Sequence, residues 1–235
     1  MLMKNILAIA LIASTSSANA AIALDRTRII FPGNAKSITL TITNENKEIP
    51  YLAQSWLENK KGEKISAPFL ITPPLQRVEG GKNAIIRINN IDTGSLPQDR
   101  ESVYWFSVRE VPPKSDKPNV LQVALQTKIK LFYRPEGIIP DKSARWDDQL
   151  ILHPTSGGFN VENPTPYYVT ILAITGGEKD IVDKEFKPVM LAPKSTSLVA
   201  SKTFKTPYVT TINDYGGKPK LPFKCNGNSC KAVKS

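Results

Sequence analysis

Residues 37–46 read SITLTITNEN. Ile38, Leu40 and Ile42 alternate with Thr39, Thr41 and Thr43, a period of two that places every apolar side chain on one face of a strand and every hydroxyl on the other. Working outward, the same texture recurs in PYLAQSWLEN (50–59), KNAIIRINN (82–90), ESVYWFSVREV (101–111) and LQVALQTKIKLFY (121–133). It continues in DQLILHP (148–154), GGFNVEN (157–163), YYVTILAI (167–174), FKPVMLAP (186–193), TSLVAS (196–201), YVTTINDYGG (208–217) and LPFKCNG (221–227). Gly, Pro, Asn and Asp punctuate the runs, and none beyond the first twenty residues has a helical period. Many short strands with turn signals between them predict antiparallel β-sandwiches.

The first twenty residues, MLMKNILAIALIASTSSANA, are a different kind of segment. Lys4 precedes a short apolar run, and Ala18-Asn19-Ala20 has the small-x-small form of a signal-peptidase site, so residues 1–20 read as a cleaved signal peptide and Ala21 as the mature start. The apolar run is too short for a helix spanning a bilayer core of roughly 30 Å, and no later run reaches about 18 apolar residues, so no membrane insertion is expected. Two prolines, a glycine and mixed charges in FYRPEGIIPDKSARW (132–146) mark a linker. The parts on either side, 21–139 and 140–235, each have the size of an immunoglobulin-like sandwich, about 100 residues. The fold class is therefore all-β, with two immunoglobulin-like β-sandwich domains.

The formal charge is +10, of which Lys4 contributes one, leaving +9 once the leader is gone. The cations are scattered, with no lysine–arginine block, which argues against nucleic acid as a partner and leaves acidic protein partners open. The two cysteines, Cys225 and Cys230 in CNGNSC, fit a disulfide closing a tight hairpin in an oxidising compartment, Asn226-Gly227 supplying the turn. Zinc is the competing reading, and two thiols without a second pair are a weak site, so no metal and no cofactor is expected. His153 is the sole histidine, at a strand end, and reads as structural; Asp147-Asp148 and Gly176-Gly177 read as turns. There is no nucleophile elbow, phosphate-binding loop, dinucleotide fingerprint or cluster of metal ligands, so the chain does not read as an enzyme.

Several blocks carry a resemblance. LDRTRIIFPG (24–33), PYLAQSWLEN, TPPLQRVEGG (72–81), LPQDRESVYWFSVREVPP (96–113), LQTKIKLFYRP (125–135), ENPTPYYVT (162–170) and TINDYGG (211–217) resemble the periplasmic pilus chaperones of the chaperone–usher pathway, in order along the whole mature length. Ser107 is a departure, since the family usually has Asn there. The resemblance implies two sandwiches joined at an angle around a cleft, and a periplasmic protein that binds, folds and caps pilus subunits by donor-strand complementation and delivers them to an outer-membrane usher. It assigns Leu121, Val123 and Leu125 to the donor strand, Arg28 and Lys130 to an anchor for the subunit's C-terminal carboxylate, and Glu101, Arg134 and Asp214 to a charged trio bridging the domains. It further implies a cis bond at Thr72-Pro73, and the short connection PPKSDKPN (112–119) goes with chaperones of rod-like pili.

Periodicity alone reads these residues otherwise: Leu121, Val123 and Leu125 as this domain's own core, Arg28 and Lys130 as surface cations. Lys130 also has the opposite parity to the three donor positions. An exposed strand edge predicts self-association of the free chain. The alternative function is an exported two-domain structural adhesin or fibre subunit. Such a subunit needs an N-terminal donor extension, whereas AIALDRTRII enters strand-like sequence at once.

Overall fold

A computed structural model describes residues 21–117, 119–141 and 144–233. The leader at 1–20, Pro118 in the 112–119 connection and residues 142–143 of the expected linker lie outside the described residues. The first part of the chain forms β1 (Ile22–Leu24), β2 (Arg28–Pro32), β3 (Ser37–Asn44), β4 (Tyr51–Glu58), β5 (Lys64–Ile65), β6 (Phe69–Thr72), β7 (Leu75–Val78), β8 (Asn83–Asn90), β9 (Ser102–Val111) and β10 (Gln126–Arg134). After two 3-10 turns, Glu136–Ile138 and Asp147–Gln149, come β11 (Ile151–Thr155), β12 (Gly158–Asn163), β13 (Val169–Thr175), β14 (Val189–Leu191), β15 (Ser195–Ala200), β16 (Tyr208–Thr211), β17 (Lys220–Asn226) and β18 (Ser229–Ala232). Among the described residues no helix is long and apolar enough to cross a membrane.

The amino-terminal domain packs a sheet ordered β1-β3-β8-β6 against one ordered β2-β10-β9-β4-β5, with β7 also on β4. The alternation of residues 37–46 does what it predicts: Leu40 and Ile42 are fully buried between the sheets, facing Phe31, Leu57, Phe106 and Leu131. Asn44 continues that phase as a buried polar residue, and its amide satisfies itself by donating to the carbonyls of Ile49 and Val78 at 2.9 and 3.0 Å. β1 and β2 are a single run divided between the layers: β1 pairs with β3, then the chain crosses at Asp25–Thr27 and β2 runs parallel to β10.

The carboxy-terminal domain is one path of eight strands, β14-β13-β16-β17-β18-β11-β12-β15, folded on itself. β17 makes the fold-over, pairing with β16 through Lys220, Leu221 and Pro222 and with β18 from Phe223 to Asn226. Leu152, Phe159, Val161 and Val199 of one layer meet Val169, Ile171, Leu191 and Val209 of the other. Asn163 repeats the part of Asn44, donating to the carbonyls of Tyr167 and Ala192. Cys225 and Cys230 are opposed across β17–β18 and joined as a disulfide, and Gly227 in the connecting turn has φ +59°.

Two expectations are corrected. The segment 121–125 is not part of a strand; the ladder of β10 begins at Gln126, opposite Arg109. Upstream, among the described residues, the Glu110 N–H donates to the Leu125 carbonyl at 3.0 Å and Gln122 Nε2 to the Pro113 carbonyl at 2.6 Å, but no ladder forms, because β9 beyond Arg109 is in ladder with β4 and Pro112-Pro113 ends that strand. The reading of Leu121, Val123 and Leu125 as core of this domain also fails: they are 89, 60 and 38% exposed. The cis bond at Thr72-Pro73 is present, with a second at Ala67-Pro68.

Removing a fully buried ring from either core leaves a cavity. Phe106→Ala and Phe159→Ala, both at 0% exposure, are each expected to cost about 3–5 kcal/mol in urea unfolding. Thr39→Ala, on the exposed phase of β3, is expected to stay within about 0.5 kcal/mol. Comparable losses at all three positions would contradict the assignment of faces.

Candidate binding cleft

β2 and β10 pair in register from Lys130 with Arg28 to Arg134 with Pro32. Partners opposite one another in a ladder share a face, so Arg28 and Lys130 stand side by side. The face is the one away from the core: Leu131 and Tyr133 point inward with the buried cluster, whereas Lys128, Lys130, Phe132 and Arg134 alternate to the other side. Both cations are half-buried, and among the described residues neither forms an ion pair. One nitrogen of Arg28, Nη1, donates weakly to the Ile212 carbonyl at 3.4 Å, and its buried Nε has no partner. Burial holds Lys130 below its ordinary lysine value and the adjoining Arg28 lowers it further. Burial lowers Arg28 too, opposed by the more distant Asp214 and Glu101. Two partly dehydrated, like-charged groups side by side form a site that an anion relieves.

An open cleft of about 600 Å³ runs beside Arg28, lined by Asp25, Thr27, Ile30, Asp214 and Tyr215. Its far wall is the loop 213–217 of the carboxy-terminal domain. Asn213 shapes that loop, its Oδ1 accepting from the N–H groups of Tyr215 and Gly217 at 3.1 and 2.8 Å. Gly216 sits there at φ +82°, a conformation that favours glycine, and a Cβ on it would meet Thr27 Oγ1 at 2.7 Å, so a side chain here would crowd the chain entering β2.

The expected charged trio comes together. Arg134 Nε donates to Glu101 Oε1 at 2.8 Å, while Nη1 and Nη2 donate to Asp214 Oδ2 and Oδ1 at 2.8 and 3.1 Å. The other Glu101 oxygen accepts from the Tyr168 N–H at 2.7 Å, a second tie between domains. Burial pushes the Glu101 carboxyl up to about 7, against the pull of Arg134 and of the Tyr168 N–H. Arg134 is itself held above its ordinary value, the two carboxylates outweighing its burial. Its guanidinium also lies over the rings of Trp146 and Tyr167, 5.1 and 4.9 Å from their centroids.

Sequence reading missed a second charged group on the same outer face. Glu58 on β4 is 7% exposed. It accepts from Trp56 Nε1 at 2.6 Å and Ser107 Oγ at 3.3 Å, and it pairs with Lys128. Burial pushes Glu58 up, but Lys128 and the Trp56 N–H hold it below the usual carboxylate range. The spacing Trp56-x-Glu58 puts both on one strand face and was the available signal. Ser107, the departure noted above, is fully buried at the centre of this group. His153 lies elsewhere, on β11, near Glu162 and the Asn228 carbonyl, and Asp147-Asp148 form part of a 3-10 turn.

The parity conflict between Lys130 and the upstream leucines has a geometric answer. Alternation holds only along a regular strand, and β10 is regular from Gln126 onward; residues 121–125 have no ladder partner to fix their phase.

Comparison with known proteins agrees with this architecture. Residues 21–139 match the family described as the pili and flagellar-assembly chaperone PapD N-terminal domain, and residues 145–223 the pili assembly chaperone PapD C-terminal domain. Chaperone protein PapD of Escherichia coli is 53% identical, over 93% of this chain and 92% of its own length. Chaperone protein PmfD of Proteus mirabilis (strain HI4320) is 44% identical over 97% and 92%. Among solved structures, the periplasmic chaperone SfaE superposes with a TM-score of 0.70 at 35% identity, covering 86% of this chain and 98% of its own. The SafB chaperone complex with the SafA pilin of Salmonella enterica gives a TM-score of 0.75 at 26% identity, covering 89% and 99%. The chain belongs to the PapD family of pilus-assembly chaperones.

Proposed function

We propose that this chaperone lends the segment 121–125 and the free edge of β10 to a pilus subunit, and that Arg28 and Lys130 bind the subunit's terminal carboxylate. The observation that carries the proposal is where β2 begins. β2 covers one edge of β10 from Lys130 onward, and that edge is open at residues 126–129. A strand added there in the same parallel sense is collinear with β2, and its C-terminus runs head-on into Arg28 and Lys130. The unpaired, partly dehydrated cations therefore stand where such a strand has its carboxylate. Two charge-assisted hydrogen bonds, about 1.5–3 kcal/mol each when well formed, anchor that end.

The anchor also sets register, and a slip of one residue turns every alternate side chain the wrong way. Leu121, Val123 and Leu125 then supply apolar side chains to the subunit's open groove, about 1.5–3 kcal/mol each before the cost of ordering the segment. Glu101, Arg134 and Asp214 hold the interdomain angle and with it the distance between Arg28 and the loop at 213–217. Removal of residues 1–20 on export and residence in the periplasm complete the reading, followed by delivery to an outer-membrane usher; the periplasmic relative SfaE supports the compartment. Membership of a chaperone family favours this over the adhesin or fibre-subunit reading.

The carboxylate claim is tested with a peptide copying a pilus subunit's C-terminal strand, as free acid and as amide. The free acid is expected to bind at least about tenfold more tightly, the equivalent of about 1.4 kcal/mol, and Lys130→Ala to erase that preference while the amide's weak binding stays. Equal binding of the two forms to the unmutated protein overturns the anchor.

The interdomain trio predicts a pH dependence. The Glu101 carboxyl rises from an ordinary 4.5 to about 7 on folding, so the folded state holds a proton that the unfolded chain has released between those values. Its contribution to stability is fully present below about 4.5 and is lost as pH rises through about 7. Comparing unfolding free energies from pH 4 to 8, Glu101→Gln is expected to flatten the decline by up to about one proton's worth. Parallel curves for the two proteins would refute the shift.

A further inference from the structure

Glu110 is a buried acid that the cleft does not use. It lies on β9 in phase with Phe106 and Val108, on the core side of the sheet, and is 5% exposed. Its Oε2 accepts a hydrogen bond from the Ile22 N–H, at 2.9 Å, on the first strand of the opposite sheet. Among the described residues it forms no ion pair. Its neighbour Arg109 points to the other face and stacks over Trp56 at 5.1 Å. The Ile22 N–H is its one hydrogen-bond donor among the described residues, and none of them sets a cation against it.

Ile22 is 2% and Ala21 9% exposed, and the Ala21 carbonyl accepts from the Glu45 N–H at 2.7 Å. The chain thus enters the sandwich at Ala21 already buried, one residue before the nitrogen that Glu110 holds. Hydrolysis of the bond between Ala20 and Ala21 consumes one water, leaves a carboxylate on the leader and frees an amine on Ala21 that takes up the proton. That nitrogen is one residue, about 3 Å, from the Ile22 nitrogen held by Glu110. We infer that Glu110 is the receptor for the new amino terminus: the Ala21 ammonium pairs with its carboxylate and clamps β1 to the facing sheet. Processing then does more than shorten the chain, because it creates the cation that the buried acid lacks. The inference rests on the leader reading given under Proposed function.

The test uses the chain starting at Ala21, released from a fusion by a site-specific protease, with 13C-labelled alanine to follow the Ala21 titration by NMR. The exported protein supplies an intact mass that fixes its natural start. With Glu110 in place the amino group is expected to titrate at least about one unit above its usual 7.7–8.0. Glu110→Gln, which keeps an acceptor for the Ile22 N–H, is expected to return it to that range. Glu45→Gln, at an exposed acid whose backbone N–H bonds the Ala21 carbonyl, is expected to leave it raised. N-acetylation of Ala21 is expected to lower Tm in the unmutated chain and to have little effect in the Glu110→Gln background. An ordinary titration in a chain shown to begin at Ala21, or equal effects of acetylation in both backgrounds, overturns the inference alone. An exported chain that begins elsewhere overturns the leader reading and the maturation role together.

Discussion

The extent of β2 along β10 is the constraint on which the rest depends. A first strand running the whole length of its neighbour would complete the sheet and leave no place for a partner. Here residues 22–24 lie on the opposite sheet as β1, and the chain joins β10 only at Lys130. Dividing one strand between two layers closes the sandwich and leaves the upstream edge of β10 open. It also sets Arg28 at the head of β2, beside Lys130, where the open edge ends. The same crossover that makes the fold therefore makes both halves of the proposed site, the open edge and the pair of cations.

An open edge at a domain boundary is useful only while the second domain keeps its place, and this explains the investment around Arg134. Burying a guanidinium and two carboxylates is unfavourable unless every group is answered. Arg134 meets both acids through its planar fork, and Trp146 and Tyr167 cover its face. Lysine cannot reproduce that arrangement, having neither the fork nor the flat face. The ties span distant parts of the chain, Glu101 to Tyr168 and Arg134 to Asp214, so the angle between domains is specified at several points rather than left to the linker.

What the sequence discloses depends on how local the cause is. Alternation in residues 37–46 and the hairpin of Cys225 and Cys230 are local, and both were readable from the residues alone. Periodicity shows that Leu121, Val123 and Leu125 share a phase, but not whether a core lies on that side, since burial depends on strands far away in the chain. Arg28 and Lys130 are two of 31 cations, and nothing in their neighbours marks them; only the family resemblance did. Glu58 and Glu110 escaped for the opposite reason. Acids on strands read as solvated, and their burial follows from Trp56, Lys128 and Ile22 arriving from other strands.

The irregular backbone of residues 121–125 bears on how such a chaperone lets go. A long, regular, apolar edge strand is a template for uncontrolled pairing. This chain keeps apolar residues at alternate positions but leaves them outside any ladder, interleaved with Gln122, Ala124 and Gln126, and bounded upstream by Pro112-Pro113. A partner has to fix the segment in a regular ladder before it gains from it, at up to about 1–2 kcal/mol per residue of backbone. Over five residues that cost rivals the gain from burying three side chains at about 1.5–3 kcal/mol each. In the complex proposed above, the apolar contacts thus shape the pairing without making it permanent, and the balance passes to the proposed carboxylate anchor. An anchor of the proposed kind, reading a chain terminus, would discriminate a subunit's last strand from the many internal strands of similar composition, which the apolar contacts alone would not do.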